Sequence, residues 1–262
     1  MNLLFGSDQI WRYNEFPKFT GLDPVYWGDY PKNSNVKKIA YAVSMGKMDV
    51  GQFDSNEVSG FLANFSSISV REKPLMDYVQ PLVNNNIEHV LDPVFLLTKR
   101  DWDSLAEKGG FKKAFKKKYL LIYNLNSSEE VYRLATKIAK EKNLVICEFS
   151  GMAKPFNFGS RIKDKFGPRE FINAFLNAEF VIASSFHGVA FSILFEKNFF
   201  SMGIKNNADR VKSLLSSLDI SNRYIETGSQ LPITQINYRK VNSKLDVLKK
   251  KSKVFINKSI LE

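Results

Sequence analysis

One segment places a histidine among serines and a glycine, where an apolar strand pattern gives way to a helical one. The residues are Ser184, Ser185, Phe186, His187 and Gly188. Ligands of parallel α/β sheets collect at the carboxyl ends of the strands. A helix that begins there offers amide N–H groups and a positive dipole to a phosphate or carboxylate. We therefore predict an anion-binding turn in which His187 acts on the ligand and its neighbours donate hydrogen bonds. A histidine that only caps the helix or fills the core is the alternative.

A second candidate is the pair Arg71 and Glu72, which follows the predicted strand Ser67–Val70. The planar guanidinium of arginine binds a carboxylate or phosphate in two-pronged fashion. Glu72 is a candidate base toward a hydroxyl group or the ion-pair partner of Arg71. The residues alone leave open a purely structural pair at a domain edge.

A third candidate is the polar turn Ser7, Asp8 and Gln9, which follows Gly6 and the predicted strand Asn2–Phe5. Such a turn suits hydrogen bonding to a sugar or phosphate, although a simple capping turn is equally compatible. No metal site is predicted, because the chain has two histidines and one cysteine and lacks zinc-ligand spacing. The second histidine, His89, is predicted to be structural, and Cys147 is predicted to be inert core.

Alternating strand and helix patterns position these residues and predict an α/β fold with parallel sheets. Strands are predicted at 2–5, 38–44, 67–70, 89–92, 119–125, 144–149, 180–184 and 198–202. Helices are predicted at 54–65, 74–83, 102–108, 129–142, 168–177, 188–195, 209–218 and 241–259, and a loop at 150–166. A break near 98–117 suggests an N-terminal lobe at 1–98, a C-terminal lobe at 115–238 and a final helix at 239–262.

The net charge of +11 is concentrated in the C-terminal part of the chain. Residues 1–98 contain 8 Lys and Arg against 11 Asp and Glu, so the excess lies in residues 99–262. This balance favours an anionic ligand, and contact with a membrane surface is compatible with the basic run Phe111–Lys118. A solvated connector is the better interpretation of that run, and nucleic-acid binding is not expected. Without a signal peptide or a bilayer-spanning stretch, a cytoplasmic protein is expected. Attachment of this protein to the inner face of the cytoplasmic membrane is compatible with that expectation.

Several blocks together resemble the polysaccharide pyruvyl transferase family. They are GSDQIW, SVREK, LDPVFLL, the run GPREFINAFLNAEFVIASSFHGVAFSILFEKNF and the pair Arg210 and Arg223. The resemblance implies a GT-B-like arrangement of two Rossmann-like lobes with the ligand between them. It implies phosphoenolpyruvate as donor, a glycan or lipid-linked saccharide diol as acceptor, and no metal or redox cofactor. The product would be a pyruvate ketal on a surface polysaccharide such as a capsule or exopolysaccharide.

The resemblance also implies roles for individual residues. Arg71 would hold the carboxylate or phosphate of the donor, and His187 would supply a proton or neutralise the leaving phosphate. Ser184, Ser185 and Gly188 would bind the phosphate, while Ser7, Asp8 and Gln9 would line the opposite wall.

Family members usually carry about 80 further residues at the N-terminus, so the N-terminal lobe is expected to be incomplete. Two alternatives stay open. One is a GT-B glycosyltransferase of the same two-lobed architecture that uses a nucleotide sugar, and the other is an inactive N-terminally truncated fragment.

Overall fold

The chain folds into two units. The computed structural model describes residues 1–30, 32, 35–46, 51, 53–107, 117–123, 128–149, 160–161, 167–202, 208–226, 228, 231–232 and 234–261. The N-terminal unit comprises Met1–Leu96 together with Asn242–Glu262, and the C-terminal unit comprises Leu97–Val241. Within the predicted connector at 98–117, residues 99–107 form a helix, and residues 108–116 lie outside the described residues.

The N-terminal unit is built on a four-stranded parallel sheet. Its strands are β1 (Asn2–Phe5), β4 (Lys37–Val43), β5 (Ser67–Val70) and β6 (Glu88–His89), and they lie side by side in that order. A small antiparallel hairpin of β2 (Asn14–Phe16) and β3 (Phe19–Gly21) follows β1. Helix α1 (Ser55–Leu62) connects β4 to β5, and α2 (Lys73–Val79) connects β5 to β6.

The core of this unit contains two stacked tryptophans. The rings of Trp11 and Trp27 lie 4.3 Å apart and are fully buried, with Phe65 packed against Trp11. The last helix, α8 (Tyr238–Leu261), contributes its residues from Asn242 onward to the same unit. Its buried Ser252 hydroxyl accepts a hydrogen bond from the Leu91 amide, which ties the helix to the segment after β6.

The C-terminal unit is a second parallel sheet with helices between its strands. Its strands are β7 (Tyr119–Tyr123), β8 (Val145–Phe149), β9 (Ser160–Arg161), β10 (Phe180–Ala183) and β11 (Asn198–Ser201). Its helices are α3 (Lys99–Glu107), α4 (Glu129–Glu141), α5 (Pro168–Asn177), α6 (Phe186–Leu194) and α7 (Ala208–Ser217).

The strand order of the C-terminal sheet reverses once. The order is β11-β10-β7-β8-β9, so the chain starts in the middle, builds outward to one side and then crosses to the other. This is the Rossmann arrangement, and the order reverses between β7 and β10. Ligands of such sheets bind outside the carboxyl ends of the strands at this reversal point.

The structure confirms the predicted α/β class with parallel, Rossmann-like sheets. Strands β1 and β5 have the predicted bounds, and most other elements agree within a few residues. Two features were not predicted: the β2–β3 hairpin, and β9 inside the segment assigned to a loop. The remainder of that segment, 150–159 and 162–166, lies outside the described residues. No helix in the described part of the chain has both the length and the apolar composition needed to cross a bilayer.

Candidate active site

The three strands around the reversal point end at one level. Ala183 at the end of β10 pairs with Tyr123 of β7 on one side and with Ser201 of β11 on the other. Just beyond, the Ser184 amide donates to the Tyr123 carbonyl at 3.0 Å. The turn that was predicted to bind an anion therefore starts at the edge where a doubly wound sheet binds its ligand.

Helix α6 begins in this turn, two residues earlier than the sequence pattern predicts. Ser185 is the N-cap, and its hydroxyl accepts a hydrogen bond from the Gly188 amide at 3.1 Å. The main-chain ladder of the helix begins with Val189, whose amide donates to the Ser185 carbonyl. His187 thus lies in the first helical turn, where the helix dipole is positive, and not in the connecting loop.

Gly188 lets the start of α6 approach the sheet closely. A Cβ atom at this position would lie 2.7 Å from the Cβ of Ala183 and 2.8 Å from Cδ1 of Tyr123. Both distances are well below the ordinary carbon–carbon contact of about 3.5–4.0 Å. The absent side chain therefore fixes how near the first turn of the helix lies to the ends of β7 and β10.

His187 is distinguished from the rest of its helix by exposure. Of the nine residues of α6, all of them described, His187 is the one that is not buried. A helix that is apolar on nearly every side belongs to the core. His187 is therefore the one partly accessible side chain of α6, and it lies in the turn of the helix that follows the end of β10.

Tyr123 closes the other side of the turn. Its ring packs edge-on against Phe171 and Phe175, with centroids 5.1 and 5.8 Å away. Burial raises the pKa of Tyr123 above its ordinary value near 10, so the phenol stays protonated at neutral pH. It is a neutral hydrogen-bond donor at this edge, and the sequence prediction did not single it out.

In the N-terminal unit, polar residues follow all four strands of the sheet. Ser7 and Asp8 follow β1, Ser44 follows β4, Arg71 and Glu72 follow β5, and Asp92 lies just after β6. Because the strands are parallel, these residues meet at one edge. Three of the predicted residues, Ser7, Asp8 and Arg71, are in direct contact there.

Arg71 lies at the centre of this cluster and is buried. Its guanidinium forms ion pairs with Asp92 and, at 2.7 Å, with Asp8, and it donates to the Ser7 hydroxyl at 3.3 Å. The side chain of Arg71 is 1% exposed, whereas that of Asp8 is 62% exposed. Arg71 thus pairs with two carboxylates of its own unit, one of which, Asp8, is exposed, and its role toward the donor stays a prediction.

Glu72 and Gln9 are also held by protein groups. Glu72 is buried and accepts a hydrogen bond from the Ser44 hydroxyl, so it lies away from solvent rather than beside an open binding surface. The side chain of Gln9 covers Gly46, where a Cβ atom would lie 2.6 Å from Nε2 of Gln9.

The turn that carries Ser7 and Asp8 begins at a glycine. Gly6 has a φ of +135° and no room for a side chain, since its Cβ would meet the Tyr41 carbonyl.

Sequence reasoning missed Asp92 and Ser44 as members of the cluster. The available signal was an aspartate just after a short strand and before Pro93, a pattern typical of a residue that caps a turn. Asp92 does cap the 3-10 turn Pro93–Phe95 with one oxygen, and its other oxygen pairs with Arg71. His89 is half-buried, and its Nε2 hydrogen-bonds the Arg71 carbonyl.

The cations shared with the resembling family are buried in the C-terminal unit. Arg210, on α7, is 9% exposed, and Arg223 is 4% exposed. Arg223 donates to the Thr234 carbonyl and lies over the Phe200 ring, 5.8 Å from its centroid. Desolvation by burial lowers the pKa of Arg223 from its usual range.

Comparison with known families identifies the class of protein. The family model for polysaccharide pyruvyl transferases matches residues 3–206, most of the chain and nearly all of the elements described above. The chain therefore belongs to the polysaccharide pyruvyl transferase family and is a transferase. A search of curated proteins found no match.

Proposed function

We propose that this protein transfers the pyruvyl group of phosphoenolpyruvate to two hydroxyl groups of one sugar and so forms a cyclic ketal. The observation that carries the proposal is the accessible imidazole of His187 in the first turn of the otherwise buried helix α6, at the reversal point of the sheet. Phosphoenolpyruvate has both a carboxylate and a phosphate, and a positive helix end with hydroxyl and amide donors suits such an anion.

The chemistry requires a proton donor, a proton acceptor and anion stabilisation. A proton adds to the methylene carbon of the donor, and one sugar hydroxyl forms a bond to the adjacent carbon as it loses its proton. The bond between that carbon and the phosphate oxygen then breaks, and the second hydroxyl closes the ring as phosphate departs with the remaining proton. No electrons are gained or lost overall, so the reaction demands no redox cofactor.

We assign the donor to the C-terminal unit. His187 supplies the proton or neutralises the leaving phosphate, since an imidazole ring can donate a proton and, when protonated, can pair with an anion. Ser184, Ser185 and the amides of the first turn of α6 bind the phosphate oxygens. Gly188 holds that turn in place.

We assign the handling of the sugar hydroxyls to the N-terminal unit. Asp8 is exposed and oriented by the buried Arg71, so it is better placed than Glu72 to accept a hydroxyl proton. In this proposal Arg71 and Asp92 are positioning residues, and Ser7 and Gln9 form the wall beside Asp8.

Thermal unfolding with added ligands tests the donor assignment. We expect phosphoenolpyruvate to raise the melting temperature of the wild type and to have little effect on His187→Ala. The matched control is His89→Asn, which changes the only other histidine and should keep the response. Stabilisation by nucleotide sugars but not by phosphoenolpyruvate would instead support a glycosyltransferase and refute the proposal.

A further inference from the structure

A cavity of about 410 Å³ lies beside Asp8 in the N-terminal unit and is not part of the donor assignment. Its volume is in the range of small-molecule sites. The lining residues are Asp8, Gln9, Ile10, Arg12, Asn14, Phe16, Phe19, Asp23 and Tyr26. All of them come from the turn after β1, the β2–β3 hairpin and the segment that follows it.

Three aromatic side chains of this cavity are about half exposed. Phe16, Phe19 and Tyr26 are 53%, 41% and 49% exposed. Phe16 and Phe19 are direct cross-strand partners, so their side chains lie on the same face of the hairpin. Large apolar groups gathered at one exposed site usually mark a binding surface.

Planar polar groups stand among these rings. The Arg12 guanidinium lies over Phe16, 5.2 Å from the ring centroid, and its Nε donates to Asn14 Oδ1 at 3.1 Å. Asp8 and Asp23 add carboxylates at other points of the lining. Donors and acceptors that alternate with aromatic faces match a pyranose ring, which has apolar C–H faces and a rim of hydroxyl groups.

The charge of the lining favours a neutral ligand. Its charged groups are two carboxylates and one guanidinium, namely Asp8, Asp23 and Arg12. Such a balance repels a phosphorylated anion and suits a hydroxyl-rich neutral ring. Phosphoenolpyruvate is therefore disfavoured here.

The cavity is also tied firmly to the core. The indole N–H of buried Trp11 donates to the Tyr26 carbonyl at 3.1 Å. The buried ammonium of Lys38 donates to the Gly28 carbonyl at 2.6 Å, and Asn64 donates to the Trp27 carbonyl at 3.1 Å. A segment fixed at three points is preorganised, which reduces the entropic cost of binding.

We infer that this cavity is the acceptor subsite and that it takes a neutral hexopyranose whose diol is presented to Asp8. The inference rests on the proposed function for its purpose, but the binding itself can be measured without any reaction. Phe16, Phe19 and Arg12 are then the residues that determine which sugar is accepted, and the hairpin is the specificity element of the protein.

Saturation-transfer NMR with methyl glucosides, galactosides and mannosides tests the inference on the whole chain. Irradiation of the aromatic protons should transfer magnetisation to the C–H protons of at least one glycoside. Phe16→Ala and Phe19→Ala should each weaken its binding about tenfold, the loss expected for one aromatic contact. The control Tyr30→Ala removes an aromatic ring that is 66% exposed and lies outside the cavity, and it should bind as the wild type does.

The outcomes separate this inference from the proposed function. Unchanged glycoside binding in both hairpin variants, or no transfer to any glycoside in the wild type, overturns the inference whatever phosphoenolpyruvate does. Glycoside binding that depends on the hairpin, in a protein that phosphoenolpyruvate does not stabilise, supports the subsite and refutes the proposed donor. A dimer that dissociates in Phe16→Ala, with glycoside binding unchanged, assigns the surface to a second copy and also overturns the inference.

Discussion

Adding one methyl group at Gly188 tests whether the position of helix α6 matters for catalysis. In Gly188→Ala the new Cβ would lie 2.7 Å from the Cβ of Ala183, which cannot move without its strand. An ordinary contact needs about 1 Å more, so the first turn of the helix must shift by roughly that distance. Overpacking of this kind costs about 1–3 kcal/mol, and the better helix propensity of alanine returns at most about 1 kcal/mol.

The expected result is a modest loss of stability and a large loss of activity. We expect the free energy of unfolding in urea to fall by about 1–2 kcal/mol, so the protein still folds. A shift of about 1 Å in groups that position a substrate can reduce turnover about 100-fold. Phosphate release from phosphoenolpyruvate, measured at a temperature where the variant is folded, gives the turnover.

The chain offers a matched control for this substitution. Gly60 also lies in a helix, α1, but a Cβ there would meet nothing within 4 Å. Gly60→Ala should therefore leave turnover unchanged and raise the free energy of unfolding by about 0.5–1 kcal/mol. If Gly188→Ala matched Gly60→Ala in both measurements, the argument from close packing would be wrong.

Three further predictions concern burial. Arg71→Met leaves Asp92 buried without its cation and should lower the free energy of unfolding in urea by about 3–5 kcal/mol; a change below about 1 kcal/mol would contradict the ion-pair assignment. Burial lowers the pKa of His89 below its ordinary value of 6.5, so as the pH falls the unfolded state binds a proton before the folded state does. The free energy of unfolding should therefore decrease as the pH drops from 6.5 to the pKa of the folded state. His89→Asn should lessen this pH dependence, and identical urea titrations of the two proteins over this pH range would argue against the effect of burial. Burial raises the pKa of the Cys147 thiol to about 12, so iodoacetamide at about pH 8 should modify it only after unfolding, and equal rates in native and unfolded protein would disprove its burial.

The elements that could be predicted are those with a strong local pattern. Ser67–Val70 alternates serine with isoleucine and valine, a pattern typical of a short strand. At the start of α1 the Asp54 side chain accepts a hydrogen bond from the Asn56 amide. The hairpin was missed because Asn14–Gly21 has no clean alternation: its aromatics are exposed, and Pro17 lies within it. Its apolar residues line a cavity instead of the core, so the usual relation between pattern and burial does not hold there.

The sequence predicts a set of candidate residues but not the contacts between them. His187 and Gly188 are candidates because a strand, a turn and a helix follow one another there. The partners of Arg71 are distant in sequence: Asp8 is 63 residues away and Asp92 is 21 residues away. A strand-end arginine looks the same in sequence whether it faces a ligand or two carboxylates of its own unit. Tertiary contacts decide between these possibilities.

Formation of the ketal itself is the most direct test of the proposed chemistry. The purified protein would be incubated in D₂O with phosphoenolpyruvate and the glycoside that binds best, and the product examined by mass spectrometry and NMR. We expect one phosphate released per ketal formed and a ketal methyl group that carries a single deuterium, with both products nearly absent for His187→Ala. A sugar modified without consumption of phosphoenolpyruvate, or a ketal formed equally well by His187→Ala, would contradict the account.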